Sequence, residues 1–276
     1  MKPHNPEETA VVLTGATSGI GEAAARLLAP RTSCLYVHGP ERPTEIGGLL
    51  EQLQATSAGQ VHYVQADFDH LAAVEEMAAE ISKRTDRIDV LVNNAGRPGP
   101  PRRTISRDGN EVTLQTNYLA AVLLTERLTP LILTADGRVV HVASATHLSA
   151  SLDPDDLNLE HSPYSPTAAY ARSKLALVAH ARWLAEQASQ PQPDIVSLHP
   201  GVISTTLLHA MFDIGGASVQ YGARNVVHAA LSGSRWRGQY VDETRPAQPN
   251  AAALDPDFRR RLAERTSAVL HLSGHR

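Results

Sequence analysis

The chain has 276 residues, of which 42% are hydrophobic and 20% are charged, and its formal net charge is −4. This length is enough for one large α/β domain with a substantial core. The mixed charge excludes a basic surface for nucleic acid, and no apolar stretch approaches the roughly 20 residues that are needed to span a bilayer.

Near the N-terminus, glycines separate a predicted strand from a predicted helix. The strand is the apolar run at residues 10–13, and the segment TGATSGIG follows it, with Gly15, Gly19 and Gly21. Glycines let the backbone turn sharply and approach a pyrophosphate closely, and a helix N-terminus offers unpaired N–H groups to phosphates. The segment therefore predicts a dinucleotide-binding turn, with an ordinary tight turn as the alternative.

Strand-like apolar runs alternate with helical patterns along the rest of the chain. Strands are predicted near residues 11–14, 34–38, 61–66, 90–93, 138–143, 195–199 and 239–240. Helices are predicted near residues 19–29, 44–58, 71–83, 111–133, 167–189, 218–232 and 256–270. This alternation predicts an α/β fold with a doubly wound parallel sheet of about seven strands and helices on both faces. No long polar linker divides the chain, so we expect a single domain over residues 1–276.

Polar residues and glycines follow several of the predicted strands. Asp67 follows the third strand, Asn94-Ala95-Gly96 the fourth, Ser144 the fifth, and Pro200 and Thr205 the sixth. In an open α/β sheet, ligands bind at the edge where the strands end. We therefore expect a ligand site at this edge.

Tyr170 and Lys174 lie four residues apart in the predicted helix 167–189. This spacing places both side chains on one helix face. A phenol titrates near about 10, and a neighbouring cation favours the phenolate and lowers its pKa. The pair predicts a proton donor and acceptor for a carbonyl or an alcohol, with an unremarkable surface pair as the alternative.

Together these motifs resemble the short-chain dehydrogenase/reductase family from about residue 11 to about residue 270. The resemblance implies a Rossmann fold, with a nucleotide-binding half at about 10–135 and a catalytic and substrate half at about 136–276. Tyr170 comes 26 residues after Ser144, which is about double the usual gap in the family. This length is similar to the retinol-dehydrogenase-like and protochlorophyllide-reductase-like branches, several members of which act on bulky or apolar carbonyls.

The resemblance implies a role for each of four catalytic residues. Tyr170 would exchange a proton with the substrate oxygen, Lys174 would lower the phenol pKa and hold the nicotinamide ribose, and Ser144 would orient the substrate oxygen. Asn117 would support a water that relays protons from Lys174. As alternatives, Ser144 can be a strand-end capping serine and Asn117 a solvent-facing helix residue. Tyr164 is a second candidate tyrosine but has no lysine four residues later.

The same resemblance implies a set of residues that contact the cofactor. They are Gly15, Ser18, Gly19, Ile20, Gly21, Asp67, Phe68, Asn94, Ala95, Gly96, Tyr170, Lys174, Pro200 and Thr205. Asp67 is expected to accept a hydrogen bond from the adenine amino group, with the backbone of Phe68 supporting it.

The end of the second predicted strand bears on the choice between NAD and NADP. The acidic residue that binds the ribose 2′-hydroxyl in NAD-dependent proteins is missing at Gly39, and Pro40 occupies the position where NADP-dependent relatives often have arginine. Arg42 can still reach a 2′-phosphate with a bidentate fork, although Glu41 opposes it. We therefore favour NADPH over NAD. The alternative for Arg42 is a solvated loop arginine.

Residues 206–216 are expected to cover the substrate, because they combine Leu207, Leu208, Met211 and Phe212 with a Gly215-Gly216 hinge. An ordinary packed helix is the alternative. We predict hydride transfer between NADPH and an apolar or bulky ketone or aldehyde, with the direction of reaction left open. The competing hypotheses are a non-catalytic dinucleotide-binding regulator and a reductase of an activated double bond or imine.

The remaining expectations concern metals, location and assembly. No His, Cys or carboxylate spacing indicates a metal site. The first residues lack the apolar core of a signal peptide and Cys34 is the single cysteine, which favours a cytoplasmic protein. The apolar faces of helices 111–133 and 167–189 suggest a homodimer or homotetramer.

Overall fold

The computed structural model describes residues 8–187, 191–212 and 214–272. Within them, eight strands form one sheet in the order β3-β2-β1-β4-β5-β6-β7-β8. The strands are β1 (Ala10–Leu13), β2 (Cys34–Gly39), β3 (Gln60–Gln65), β4 (Val90–Asn93), β5 (Arg138–Val142), β6 (Asp194–His199), β7 (Gln239–Asp242) and β8 (Arg245–Ala247). The expected doubly wound sheet is confirmed, since β1 to β7 are all parallel.

The last strand differs from the prediction. β8 pairs antiparallel to β7, whereas the predicted strands end at residue 240. Pro246 is tolerated because a strand at the edge of a sheet needs no ladder hydrogen bond on its outer side.

Helices cover both faces of the sheet. They are α1 (Gly19–Leu28), α2 (Gly47–Thr56), α3 (Leu71–Ser82), α4 (Val112–Leu114), α5 (Ala120–Thr134), α6 (Pro166–Ala185), α7 (Thr206–Met211), α8 (Val219–Leu231), α9 (Ala251–Leu254) and α10 (Pro256–Val269). A π-helical turn at Gln115–Leu119 joins α4 to α5, so the helix predicted at 111–133 exists but is interrupted. The predicted end of helix 167–189 at Ser189 lies outside the described residues.

Two apolar cores lie on the two faces of the sheet. Val12 and Leu91 belong to the core that includes α3, α5 and α6, whereas Val11 and Leu13 belong to the core that includes α1 and α8. Alternate residues of one strand point to opposite faces, and burial on both faces explains why the central strands are continuous apolar runs.

The connections of the sheet place a crevice between β1 and β4. The chain winds from β1 towards β3 on one side and from β4 towards β7 on the other. The loops after β1 and β4 therefore diverge at the switch point, which is where ligands bind in doubly wound folds.

The opposite end of the sheet contains a buried ion pair between the first residues of β5 and β6. Arg138 Nε donates to Asp194 Oδ2 over 3.0 Å, and both side chains are fully buried. Burial lowers the pKa of Arg138 and outweighs the opposing effect of Asp194. Arg138 also donates to the carbonyls of Ala229 and Ser232, so this pair ties the sheet to the end of α8.

Candidate active site

A cavity of about 690 Å³ opens at the carboxyl ends of the strands. Fifteen of the predicted site residues line it: Gly15, Ser18, Gly19, Ile20, Gly21, Asp67, Phe68, Asn94, Ala95, Gly96, Ser144, Tyr170, Lys174, Pro200 and Thr205. Two predicted residues, Arg42 and Asn117, are not part of the lining that the described residues form. The structure therefore brings together residues that are spread over most of the chain.

The glycine-rich turn has room only for glycine at two places. Gly15 has a φ of +61°, and a Cβ on it would lie 2.7 Å from the Cα of Ala95. A Cβ on Gly21 would collide with the carbonyl oxygen of Gly15. The turn thus packs directly against the loop after β4, and α1 points its N-terminus into the cavity, which is the arrangement that binds phosphate groups.

Hydrogen bonds fix the loop after β4 to the glycine-rich turn. The backbone N–H groups of Asn94 and Ala95 each donate to Thr14 Oγ1 over 2.9 Å. The Asn94 side chain in turn donates to the carbonyls of Thr14 and Gly15. The loop after β4 and the glycine-rich turn, which both line the cavity, are therefore held together.

His38 belongs to the site although the sequence analysis did not single it out. Its Nδ1 accepts from the backbone N–H of Gly15 over 3.1 Å, and its Nε2 lies 2.9 Å from the carbonyl of Ala66. The ring stacks on Phe68 with centroids 4.2 Å apart. Burial lowers the pKa of His38 to about 4, so the ring is neutral and can donate to Ala66. In the sequence, the only local signal for the role of His38 is that a histidine lies within an apolar strand.

The end of the cavity beside β2 has an acidic rather than a basic lining. Pro40 and Glu41 line it. Arg42 is outside this lining, its side chain is 72% exposed, and it pairs with Glu45 over 3.1 Å. The structure therefore places Arg42 as the solvated loop arginine that was the alternative in the sequence analysis.

Tyr170 and Lys174 enter the cavity from one face of α6. Both are buried, and Lys174 Nζ lies 5.5 Å from the centroid of the Tyr170 ring. Lys174 Nζ donates to the carbonyl of Val142 over 2.8 Å. The alternative of a surface pair is wrong because both side chains are enclosed.

The pKa values of this pair are governed by burial. Burial raises the pKa of Tyr170 to about 12, although a hydrogen bond with Ser144 opposes this shift. Burial also lowers the pKa of Lys174 to about 8. We expected Lys174 to lower the phenol pKa, but in this structure the loss of hydration outweighs any such effect. The phenol is therefore held in its protonated form.

Ser144 has two roles in this geometry. It begins the 3₁₀ turn Ala145–Ser149, and Thr146 N donates to its Oγ over 3.3 Å. The same hydroxyl shares a hydrogen bond with Tyr170 and lines the cavity. The capping role and the site role are thus compatible.

Asn117 lies behind the cavity in the π-helical turn. It is 1% exposed, so the solvent-facing alternative is wrong. Its Nδ2 donates to Ser173 Oγ over 3.0 Å. A Cβ on Gly96 would lie 3.4 Å from both Asn117 Oδ1 and Lys174 Nζ, so the two side chains approach the same glycine. π-Helical turns often occur at functional sites.

The substrate end of the cavity is mostly apolar. Its lining includes Leu207, Leu208, Met211, Phe212 and Ile214, and Asp213 lies outside the described residues. Two polar side chains that the sequence analysis missed, Thr146 and His199, also line the cavity. Thr146 Oγ1 and His199 Nδ1 are buried and have no hydrogen-bond partner among the described residues.

Two kinds of feature are absent from the same described residues. They contain no group of His, Cys, Asp and Glu that is suited to a metal ion. None of their helices combines the length and apolar character that crossing a bilayer would require.

Comparison with known proteins identifies a matching family and several similar proteins. The model of the short chain dehydrogenase family matches residues 9–213. Polyprenol dehydrogenase of Mus musculus is 35% identical over 285 residues, which cover 94% of this chain and 83% of that protein. Retinol dehydrogenase 13 of Homo sapiens is 29% identical over 288 residues, which cover 95% and 84% respectively. A crystal structure of an uncharacterized protein from Mycobacterium Paratuberculosis matches with a TM-score of 0.77 and 28% identity, over 98% of this chain and 95% of that one.

Proposed function

The chain belongs to the short-chain dehydrogenase family, and from this premise we propose that it interconverts a ketone or aldehyde and its alcohol with Tyr170 as the proton donor and acceptor. The observation that carries the proposal is the enclosed group of Tyr170, Ser144 and Lys174 in the same cavity as the glycine-rich turn. A nicotinamide dinucleotide supplies or accepts the hydride when bound.

Tyr170 and Ser144 would act on the substrate oxygen. The high pKa of Tyr170 keeps a proton on the phenol, and the hydroxyl of Ser144 is already within hydrogen-bonding reach of that phenol. Two donors that are fixed before the reaction stabilise negative charge as it develops on a carbonyl oxygen. Tyr170 would give up its proton in reduction and regain it in oxidation.

Lys174 and Asn117 would support this proton transfer. Lys174 has a pKa near 8, so it can exchange a proton close to neutral pH. Its ammonium is anchored at the carbonyl of Val142 and lies on the cavity wall, where a cation would favour the phenolate after the proton has left. Asn117 would position the loop that carries Gly96, because this loop lies between Asn117 and the cavity.

The cavity fits a dinucleotide in its phosphate-binding part. The close approach of Gly15, Gly21 and Ala95 leaves backbone rather than side chains at the cavity wall, and the N-terminus of α1 opens into it. Gly19, Ile20 and Asn94 would complete the phosphate and ribose contacts. Asp67 and Phe68, at the end of β3, would meet the adenine.

We favour an apolar carbonyl or alcohol as the substrate. The support is the run of apolar side chains from α7 and the loop after it, together with Ile203, which also lines the cavity. A small number of polar groups in an apolar pocket fixes orientation, while the apolar wall supplies most of the binding energy. The similarity to a retinol and a polyprenol dehydrogenase agrees with this substrate class.

The test compares Tyr170→Phe with the wild type in a spectrophotometric assay of NADH and NADPH oxidation with a panel of apolar ketones and aldehydes. Loss of positioned proton transfer should lower turnover by about 10²–10⁴-fold, while dinucleotide binding, followed by tryptophan fluorescence, persists. Tyr164→Phe is the matched control, because the Tyr164 hydroxyl donates to the carbonyl of Pro100 and Tyr164 is not one of the described residues that line the cavity.

Two results would favour the competing functions. A Tyr170→Phe variant that keeps most of its activity would indicate reduction of an activated double bond or imine. Tight dinucleotide binding without turnover of any carbonyl would indicate a regulatory protein. The homodimer or homotetramer stays a prediction that light scattering can test, and the cytoplasmic location also stays a prediction.

A further inference from the structure

His199 is a polar residue of the cavity wall that the proposed reaction does not use. It is the last residue of β6, lines the cavity and is 8% exposed. Val142 at the end of β5 is paired with Leu198, so His199 lies at the same edge of the sheet as Ser144. Alternate residues of a strand point to opposite faces, and Leu198 belongs to the core of α1 and α8. The His199 side chain therefore lies on the other face, which is covered by α6 and carries Tyr170.

The imidazole of His199 makes no hydrogen bond within the part of the chain that the structure describes. Its Nδ1 is fully shielded and has no partner, so this nitrogen is not available to a molecule in the cavity. Its Nε2 does not share this shielding. Because His199 lines the cavity, Nε2 is the nitrogen that a bound molecule can reach.

Two other buried histidines show the arrangement that His199 lacks. Both ring nitrogens of His38 contact backbone groups. His147 has its Nδ1 2.6 Å from the carbonyl oxygen of Ser144 and its Nε2 3.4 Å from the backbone nitrogen of Asn250. Most buried polar atoms of native proteins have at least one hydrogen-bond partner. His199 departs from this pattern at a place where a bound molecule can supply the missing partner.

The charge of the ring limits the chemistry of that partner. Burial lowers the pKa of His199 and outweighs the opposing effects of Asp242 and Glu243, so the ring is neutral at neutral pH. A neutral imidazole donates at one nitrogen and accepts at the other, and Nε2 therefore offers one or the other according to the tautomer. A hydroxyl group fits both tautomers, because it donates one hydrogen bond and accepts others. A negatively charged group does not fit, because the ring carries no positive charge.

We infer that the substrate carries a hydroxyl group close to its carbonyl, and that Nε2 of His199 binds this hydroxyl while Tyr170 and Ser144 hold the carbonyl oxygen. This inference rests on the proposed function, since it requires a carbonyl substrate in the cavity. Neighbouring strands lie about 4.8 Å apart, so the two oxygens of the substrate must be on adjacent carbons or one carbon further apart. The rest of the substrate is apolar, and the hydroxyl fixes its orientation.

Two pairs of ketones, in which a hydroxyl group replaces a methyl group of similar size, test the inference. They are α-hydroxyacetophenone with propiophenone, and β-hydroxypropiophenone with butyrophenone. Steady-state reduction at saturating dinucleotide gives a ratio of kcat/KM within each pair. The wild type should prefer the hydroxyl compound by about tenfold in at least one pair, which is the effect expected of one hydrogen bond.

Variants separate recognition by His199 from the intrinsic reactivity of the ketones. His199→Phe keeps an aromatic ring without a nitrogen and should lower the hydroxyl preference by about tenfold. His199→Gln can place an amide group near the position of Nε2 and should restore part of the preference. Thr146→Val is the matched control, because Thr146 also lines the cavity but its Oγ1 is shielded, so the wild-type ratio should remain. Thermal unfolding monitors whether each variant is folded.

Three results would overturn the inference. They are equal kcat/KM values within both pairs for the wild type, a hydroxyl preference that His199→Phe leaves unchanged, and an equal loss of preference in Thr146→Val. If the wild type reduces neither these ketones nor any other carbonyl of the panel, the proposed function fails and the inference fails with it. Reduction of the methyl compounds without a hydroxyl preference overturns only the role of His199.

Discussion

Asn117 and Arg97 exchange two hydrogen bonds that join the π-helical turn to the loop after β4. The backbone N–H of Arg97 donates to Asn117 Oδ1 over 2.8 Å, and Asn117 Nδ2 donates to the carbonyl of Arg97 over 3.1 Å. The carboxamide therefore pairs with the backbone of the loop and links it to the helical turn between α4 and α5. It holds the loop that carries Gly96 against Lys174.

We expect Asn117→Ala to lower both stability and turnover. The variant leaves the partly buried N–H and C=O of Arg97 without their partner, which costs at most about 1–3 kcal/mol for each unsatisfied group. Denaturant unfolding and steady-state kinetics measure the two effects. Ser173→Ala keeps both Arg97 contacts and removes the bond from Asn117 Nδ2 to Ser173 Oγ, together with the bond from Ser173 Oγ to the carbonyl of Tyr170. The free energy of unfolding should therefore fall less than in Asn117→Ala. Equal losses in the two variants would contradict the role assigned to the Arg97 contacts.

Gly21→Ala should abolish dinucleotide binding or weaken it strongly. An added Cβ meets the carbonyl of Gly15, so either the glycine-rich turn or the start of α1 must shift away from the phosphates. Fluorescence titration with NADH and with NADPH measures the loss. Gly48→Ala is the control, because a Cβ there meets nothing within 4 Å and alanine favours helices. Unchanged binding by Gly21→Ala would show that the turn does not hold the phosphates.

The ion pair of Arg138 and Asp194 should be essential for stability but not for chemistry. Asp194 Oδ1 also accepts from the backbone N–H of Trp236 over 2.9 Å. Arg138→Met leaves a buried carboxylate without its cation, and breaking such a pair costs about 3–5 kcal/mol. Chemical denaturation measures this loss.

A surface pair serves as the comparison for this prediction. Arg26 and Glu22 are partly exposed and four residues apart on α1, and pairs of this kind contribute about 0.3–0.5 kcal/mol. Arg26→Met should therefore change the free energy of unfolding little. A loss of similar size in both variants would contradict the importance of burial.

Buried histidines should make the fold sensitive to acid. Burial lowers the pKa of His38 and of His180 from 6.5 to about 4, and it also lowers the pKa of His141 well below its usual value. Between about pH 4 and 6.5 the unfolded chain binds more protons than the folded chain, so the free energy of unfolding rises with pH in this window. The free energy of unfolding should fall by up to about 3 kcal/mol for each of His38 and His180 as the pH falls from 6.5 to 4.

Urea unfolding at a series of pH values tests this dependence. His180→Gln should show a shallower rise between pH 4 and 6.5 than the wild type, because one ionisable group is gone. His209→Gln, at an exposed position of α7, controls for loss of a histidine as such. A His180→Gln slope equal to that of the wild type would contradict the expectation.

Patterns in the sequence were enough to predict the fold class, the family and most of the residues that meet at the cavity. These depend on local patterns: apolar runs of strand length, glycines between a strand and a helix, and Tyr170 and Lys174 one helical turn apart. Local patterns can be recognised without knowledge of long-range contacts, because periodicity and backbone freedom are properties of neighbouring residues.

The electrostatics of the site and the burial of particular side chains depend on contacts between segments that are distant in the sequence. The pKa of Tyr170 rises rather than falls because elements distant in sequence enclose the phenol. Asn117 is buried because the π-helical turn meets the loop at Arg97. Glu41 rather than Arg42 lines the cavity, at a bend where Tyr63 of β3 donates to the carbonyls of Gly39 and Glu41. Burial and side-chain direction arise from contacts between remote segments, and no spacing within one segment encodes them.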